Sequence, residues 1–292
     1  MGLRIKTNVA SLNAQRRLGD TTKNLNENME KLSSGYRINK SADDAAGLAI
    51  SETLTGKIRS MDQAKRNAND GISLIQVAEG GMNEVTNILV RMRELATQAA
   101  SDTIGNTERS YSNKEYNEMV KEIDRISSTT EFNGVQLLGG ADANNGTESL
   151  TFHIGSGDGH MENTDTIEFN IDQIKMNTEV LGLEGGAAIG PEEVGGDFDR
   201  QSAADKLSII DTAIQKIAGN RAEIGAKQSR LNSTINNLGV QIENSSTSRS
   251  RIRDVDFASV TAEFTQNRIL SQAGASVLSQ ASTMPELALK LL

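Results

Sequence analysis

The chain has 292 residues, a formal net charge of -9, no cysteine, no tryptophan and only six Phe and three Tyr, so its core must come from Leu, Ile, Val, Ala and Met. That composition excludes a disulfide framework, a thiolate nucleophile and a Cys-based zinc site, and two separated histidines exclude a His-rich metal centre. With 36% apolar residues and a mean hydropathy of -0.42 the chain is lean for a compact globule, which favours long packed helices.

The charge is unevenly spread. Residues 141–199 hold thirteen Asp or Glu against the single Lys175, and twelve of the 26 glycines lie between 139 and 199. Composition therefore divides the molecule into helical flanks and an acidic, Gly-rich centre. Overall acidity with scattered Lys and Arg argues against nucleic acid, which selects clustered basic residues and stacking aromatics. No window approaches the roughly 18–20 apolar residues that span a bilayer, and Met1–Lys6 lacks the apolar stretch of a secretory signal. A soluble chain that is exported, if at all, by another route is expected.

In chain order, Leu18, Leu25, Met29, Leu32 and Tyr36 form a narrow apolar stripe near the start. Ile58, Met61, Ala68, Ile72, Ile75 and Met82 form a second; Val85, Ile88, Met92, Leu95 and Ala99 form a third, with a change of phase expected near Gly80-Gly81. Tyr116, Met119, Ile123 and Ile126 add a shorter helix, and Asn133-Gly134 signals a tight turn. Leu150–Ile154 and Thr166–Ile171 read as two strands of a hairpin-like element, and residues 182–199 as a loop open to water.

The clearest periodicity follows. Taking Leu207 as an a position, the a and d series runs Leu207, Ile210, Ile214, Ile217, Arg221, Ile224, Gln228, Leu231, Ile235, Leu238 and Ile242, the 3-4 spacing of a coiled-coil seam. Polar Arg221 and Gln228 either fix register or are solvent-tolerant seam positions. Near the finish, Leu270, Ala273, Val277, Ala281 and Met284 make another thin stripe, and Leu287, Leu289, Leu291 and Leu292 follow Pro285, which disfavours simple continuation of the helix. The two terminal stripes have no evident partner within the chain, so the ends are expected to order on association. The fold class expected is mainly α: a long antiparallel helical bundle or coiled coil, a small β-hairpin region, and terminal helices that order on assembly.

Chemical sites are scarce. Gly155–Gly159 has the glycine spacing of an anion loop but no Gly-Lys-Ser/Thr ending and no following helix, so it reads as a hairpin loop. Asp158, Glu162 and Asp165 lack EF-hand order and read as a solvated acidic surface, and neither His153 nor His160 has a catalytic constellation around it. No catalytic, cofactor-binding or metal site is predicted.

Several motifs resemble the bacterial flagellins. Leu32–Asn39, Asp43–Ile50, Arg66–Ser73 and Phe132–Val135 look like successive flagellin signatures in the expected order, and Ser250–Asp254 and Gln272–Leu278 match the C-terminal pattern. Together they mark out residues 1–140 and 200–292, about four-fifths of the chain. The resemblance implies no enzyme but a structural subunit that polymerises into the flagellar filament for swimming motility. Residues 1–42 and 250–292 are then terminal inner-tube helices, and 43–249 a surrounding helical bundle that includes the acidic region 141–199. The large outer domains of many flagellins are expected to be absent.

Self-assembly is assigned on this basis to Leu18, Leu25, Met29, Leu32, Leu270, Ala273, Val277, Ala281, Met284, Leu287 and Leu291. The implied partners are further copies of the chain, the flagellar type III export apparatus, an export chaperone at the C-terminal stripe, and hook-associated and cap proteins. The implied location is secreted, in the bacterial flagellum filament. Leu89–Gln98 also resembles the stretch by which many flagellins are recognised by the innate immune receptor TLR5. Arg91 and Leu95 match key motif positions and Glu115 falls where the family places an acidic contact, while Val90 and Met92 depart from the commonest pattern. Helix packing alone also explains Met92 and Leu95. Two other functions remain at this point: a hook–filament junction protein, which shares flagellin-like ends, and a soluble coiled-coil scaffold.

Overall fold

Because no proline interrupts the first 190 residues, helices here grow until a cap or a glycine stops them. In the computed structural model, residues 7–144, 146–155, 157, 165–183, 188–191 and 200–289 are described, the side chains of 142, 200 and 284–289 excepted. Helix α1 (Val9–Ser34) starts at Asn8, whose side chain accepts from Ser11 N, and stops at Gly35, where φ is 74°. Helix α2 (Ala45–Ala99) is followed by α3 (Asn106–Thr129), two short strand pairs, α4 (Arg200–Arg253) and α5 (Phe257–Leu289). The chain divides into two compact units, 1–58 with 243–292, and 59–242, both boundaries falling inside long helices.

The unit of residues 59–242 holds the larger core. The expected phase change at Gly80-Gly81 does not occur, because α2 is one helix of 55 residues. Its buried row runs Met61, Ala64, Ala68, Gly71, Ile75, Ala78, Met82, Val85, Leu89, Met92, Ala96, Ala99 with unbroken 3-4 spacing. Half of that row is Ala or Gly, which hides its continuity from a reading based on large side chains. Gly81 has a different purpose: a Cβ there would meet Leu138 and the Thr130 hydroxyl at 2.8 Å, so glycine lets the neighbouring turn approach the helix.

The seam of α4 has the phase read from sequence. Every seventh residue, Ile210, Ile217, Ile224, Leu231 and Leu238, is buried, while the alternate positions Leu207, Ile214, Arg221, Gln228, Ile235 and Ile242 are half-buried. Two ion pairs align α4 antiparallel to α2: Arg93 Nε to Asp211 at 2.7 Å, and Arg221 to Glu79 at 3.6 Å. Arg221 also reaches Asn83 Oδ1 at 3.5 Å from its half-buried seam position. On α3, Tyr116 and Ile123 are buried, with Met119 and Ile126 partly so.

Strands β1 (Glu131–Phe132) and β2 (Val135–Gln136) pair antiparallel through Asn133 and Gly134, whose φ values of 52° and 80° place both turn residues in the left-handed region. Strands β3 (Ser149–His153) and β4 (Thr166–Asn170) pair antiparallel with Leu150 opposite Phe169 and Phe152 opposite Ile167. Phe152 lies 3.4 Å from where a Cβ at Gly71 would stand, so that glycine seats the hairpin on α2.

Within the acidic centre, Glu148, Glu168, Asp172 and Glu179 are exposed, whereas Asp158, His160 and Glu162 lie outside the described residues. The expectation of a water-exposed loop across 182–199 needs correction at Leu183, Ile189, Gly190 and Pro191, which are buried, while 184–187 and 192–199 lie outside the described residues. Ile189 N donates to Asn113 Oδ1 at 3.0 Å, and a Cβ on Gly190 would collide with the Arg109 carbonyl, so glycine permits the close approach to α3.

Candidate assembly interface

The unit of residues 1–58 and 243–292 is built on α1 lying antiparallel to α5. Asn8 Nδ2 donates to the Ala281 carbonyl at 2.7 Å, and Leu18 Cδ1 lies 3.3 Å from where a Cβ at Gly274 would stand. The terminal stripes therefore have a partner in their own chain, contrary to expectation. It was concealed because the contacting row of α5 is small and polar in its middle: Asn267, Ser271 and Gly274 lie between half-buried Phe264 and Leu278.

Leu18, Leu25, Leu32 and Ala281 are half-buried on these facing rows. Met29 is not: it is 51% exposed, and buried Asn28 occupies the seam position beside it. Leu270 and Val277, 49% and 56% exposed, and Ala273 are on the surface of α5, as is Ile269. Counting 100° per residue, Leu270 and Val277 lie about 40° and about 60° from Gly274, so this stripe borders the row that covers α1 and stays exposed beside it. The Met284 side chain, Leu287 and Leu291 lie outside the described residues or side chains.

At the base of this pair the two chain reversals are joined. Tyr36 and Asp254 form an antiparallel bridge, Arg37 N donates to Arg253 O at 2.7 Å, and Val255 N donates to Gly35 O at 3.0 Å. Gly35 and Asp256 thereby end one helix and begin another: Asp256 Oδ1 accepts from Ala258 N at 3.0 Å at the start of α5. Sequence reading missed Asn8, Gly274 and this bridge; of the three, only Asn8, a capping residue type one position before an amphipathic row, carries a local signal.

The residues considered for receptor recognition separate into two kinds. Leu95 is 2% exposed and belongs to the core. Arg91 is on the surface, 2.9 Å from Glu115 and 3.0 Å from Glu94, and its hydrogen bonds to Glu115 and then Glu94 hold the guanidinium above its ordinary pKa. Val90 is exposed and Met92 buried. Among the described residues, no three His, Asp or Glu gather to hold a metal, and no helix is long and apolar enough to cross a membrane.

Two family models match this chain: the bacterial flagellin N-terminal helical region over residues 5–143, and the bacterial flagellin C-terminal helical region over residues 207–292. The chain belongs to the bacterial flagellin family. It is 41% identical over 312 aligned residues to the flagellin of Bacillus subtilis (strain 168), with 99% of this chain and 100% of that flagellin covered. It is 40% identical over 298 residues to the flagellar filament 33 kDa core protein of Treponema phagedenis, with 99% of each covered. A solved structure of a flagellar hook-associated protein from Vibrio parahaemolyticus is similar with a TM-score of 0.59 at 15% identity, over 73% of this chain and 100% of that one, which is a likeness of fold. As a flagellin, the chain is a structural subunit of the flagellar filament, self-assembling rather than enzymatic.

Proposed function

We propose that this flagellin docks onto neighbouring copies through the exposed stripe of α5, Ile269, Leu270, Ala273 and Val277, with exposed Met29 of α1 and C-terminal Met284, Leu287 and Leu291 adding to the contact. The supporting observation is that this apolar stripe is left exposed on α5 beside the row that packs on α1. Fully burying a Leu or Val side chain contributes roughly 1.5–3 kcal/mol, so a stripe repeated in every subunit gives polymerisation a large apolar driving force. Residues 1–42 and 250–292 then form the inner tube and 43–249 the layer around it, and the α1–α5 pair becomes fully ordered only when neighbours cover it.

The subunit reaches the filament through the flagellar type III export apparatus, to which a chain without disulfides is suited. An export chaperone covers the same α5 stripe beforehand, since an uncovered one promotes premature association. Hook-associated and cap proteins bound the polymer at its two ends. Receptor recognition engages the dispersed subunit through the exposed Arg91–Glu115 pair, with Leu95 acting from beneath by holding α2 in place.

The test is seeded elongation with purified Leu270→Asp. Elongation should fall at least about tenfold, because a carboxylate would have to be buried between subunits, while the melting of residues 59–242 stays unchanged. Normal elongation by this variant removes the α5 stripe from the interface.

A further inference from the structure

The composition that removes thiol chemistry leaves another sulfur in its place. With no cysteine and no tryptophan, the thioethers of nine methionines are the most readily oxidised groups in the chain, and no thiol competes with them for an oxidant. Which thioether reacts is then decided by access.

The core shields most of those described. Met82, Met92 and Met176 are fully buried, Met61 is 3% exposed, and Met119 is half-buried against the core of residues 59–242. Met29 is 51% exposed, and among the described side chains it is the only exposed thioether. Its place on α1 explains the difference. Counting 100° per residue, it lies about 40° from Leu25 and about 60° from Leu32, so it borders the row that packs on α5 without entering it. The seam position beside it is taken by buried Asn28.

Oxidation at this point changes polarity more than size. The sulfur lone pair attacks one oxygen of a peroxide, the O–O bond breaks, an S–O bond forms, and hydrogen peroxide leaves as water; sulfur is oxidised and the peroxide reduced by two electrons. A flexible apolar side chain becomes a polar one bearing a hydrogen-bond acceptor. On a helix surface open to water that acceptor is solvated, so the folded subunit tolerates it. In an apolar contact between copies it would be buried without a donor.

We propose that Met29 is a reversible oxidation site that gates assembly: a peroxide converts its thioether to the sulfoxide in the dispersed subunit, the sulfoxide keeps that subunit out of the filament, and a thiol-dependent reductase readmits it. In the reductive step the oxygen leaves as water while two thiols join as a disulfide. Preferential oxidation stands on exposure within one chain. The gating step rests on the docking proposed above, which covers Met29 between copies.

Peptide mapping by mass spectrometry after treatment with hydrogen peroxide tests the site. In dispersed protein the sulfoxide of Met29 should form at least about tenfold faster than those of Met82 and Met92, and equal rates overturn the assignment. Seeded elongation tests the gate, each protein being compared with its own untreated rate. Peroxide-treated parent should elongate at least about tenfold more slowly, treated Met29→Leu should keep its rate, and a thiol-dependent methionine sulfoxide reductase should restore the parent. Met29→Gln, with a polar amide in place of the thioether, should elongate slowly with no oxidant present.

Equal slowing of the parent and of Met29→Leu by peroxide would place the sensitive thioether elsewhere, and normal elongation by oxidised parent and by Met29→Gln would remove the gate. Slow elongation by Leu270→Asp beside normal elongation by Met29→Gln keeps the α5 stripe as the docking surface and refutes only the gate. Slow elongation by Met29→Gln and oxidised parent beside undiminished elongation by Leu270→Asp keeps the gate and refutes the α5 stripe.

Discussion

The guanidinium of Arg253 lies over the ring of Tyr36, 4.5 Å from its centroid, although 217 residues separate them in sequence. Their neighbours exchange main-chain hydrogen bonds, so the reversal from α1 to α2 and the reversal from α4 to α5 are held as one structure at the base of the terminal pair. A cation over an exposed aromatic face contributes about 0.5–1 kcal/mol. Tyr36→Ala should therefore speed amide exchange at Arg37 and Val255, the two bridging donors, by about two- to fivefold, and Tyr36→Phe should not. Unchanged exchange in Tyr36→Ala would show that the main-chain bridge holds without the ring.

Ile224 lies at the centre of the α4 seam and is 1% exposed. Ile224→Asp should destabilise residues 59–242 by more than about 3 kcal/mol, because a carboxylate would replace a fully buried aliphatic side chain. Ile224→Val, which removes one methylene, should cost about 1 kcal/mol. Chemical denaturation measures both, and a neutral aspartate variant would mean that the seam has a different phase in solution.

Tyr116 presents the opposite case, a polar atom where the core wants none. Its hydroxyl is buried with no hydrogen-bond partner, and burial pushes its pKa up to about 12. Tyr116→Phe should stabilise the unit by about 1 kcal/mol at neutral pH, since the unsatisfied group is removed with little change in shape. The raised pKa also fixes the sign at high pH. The fold favours the neutral phenol, so its contribution is complete below about pH 10, where the unfolded tyrosine titrates, and is lost as the pH rises toward 12. The parent chain should lose stability across that window faster than Tyr116→Phe, and parallel profiles would contradict the burial of the hydroxyl.

Arg91 and Leu95 should respond differently to truncation. The Arg91–Glu115 pair is about half exposed, so Arg91→Ala should change stability by less than about 1 kcal/mol, whereas Leu95→Ala should cost about 2–5 kcal/mol by opening a cavity. Receptor binding by dispersed subunits should fall in both, but only Leu95→Ala should also shift the melting transition. Equal melting temperatures would place Leu95 outside the core.

What could be read from the sequence depended on side-chain size. The α4 seam was legible because nearly every inward position carries a large aliphatic residue, and the hairpin at Asn133-Gly134 was legible because that dipeptide supplies the left-handed backbone a two-residue turn requires. The continuity of α2 was not, because alanines and glycines carry the seam through its middle. The α1–α5 contact was illegible for a related reason. Gly274 acts through the absence of a side chain, and the partner of each terminal helix lies more than 200 residues away. Arg109 shows the same limit: its buried guanidinium donates to the carbonyls of Ala99 and Ser101 and to Asn106 Oδ1, closing the turn between α2 and α3, and nothing in its local sequence distinguishes it from a surface arginine. Of the residues assigned to self-assembly, the apolar stripe Leu270, Ala273 and Val277 was visible, but its exposure beside the α1 contact was not.

Whether that stripe is the surface that neighbouring subunits cover can be measured with one reporter. Val277→Cys introduces a single thiol into a chain that has none, at a position 56% exposed in the isolated subunit. Its labelling by a maleimide should be fast in dispersed protein and at least about tenfold slower in filaments, while a thiol at exposed Val240 on α4 serves as the reference for label access. Labelling of the 277 thiol at the same rate in both states would contradict assembly through the exposed stripe of α5.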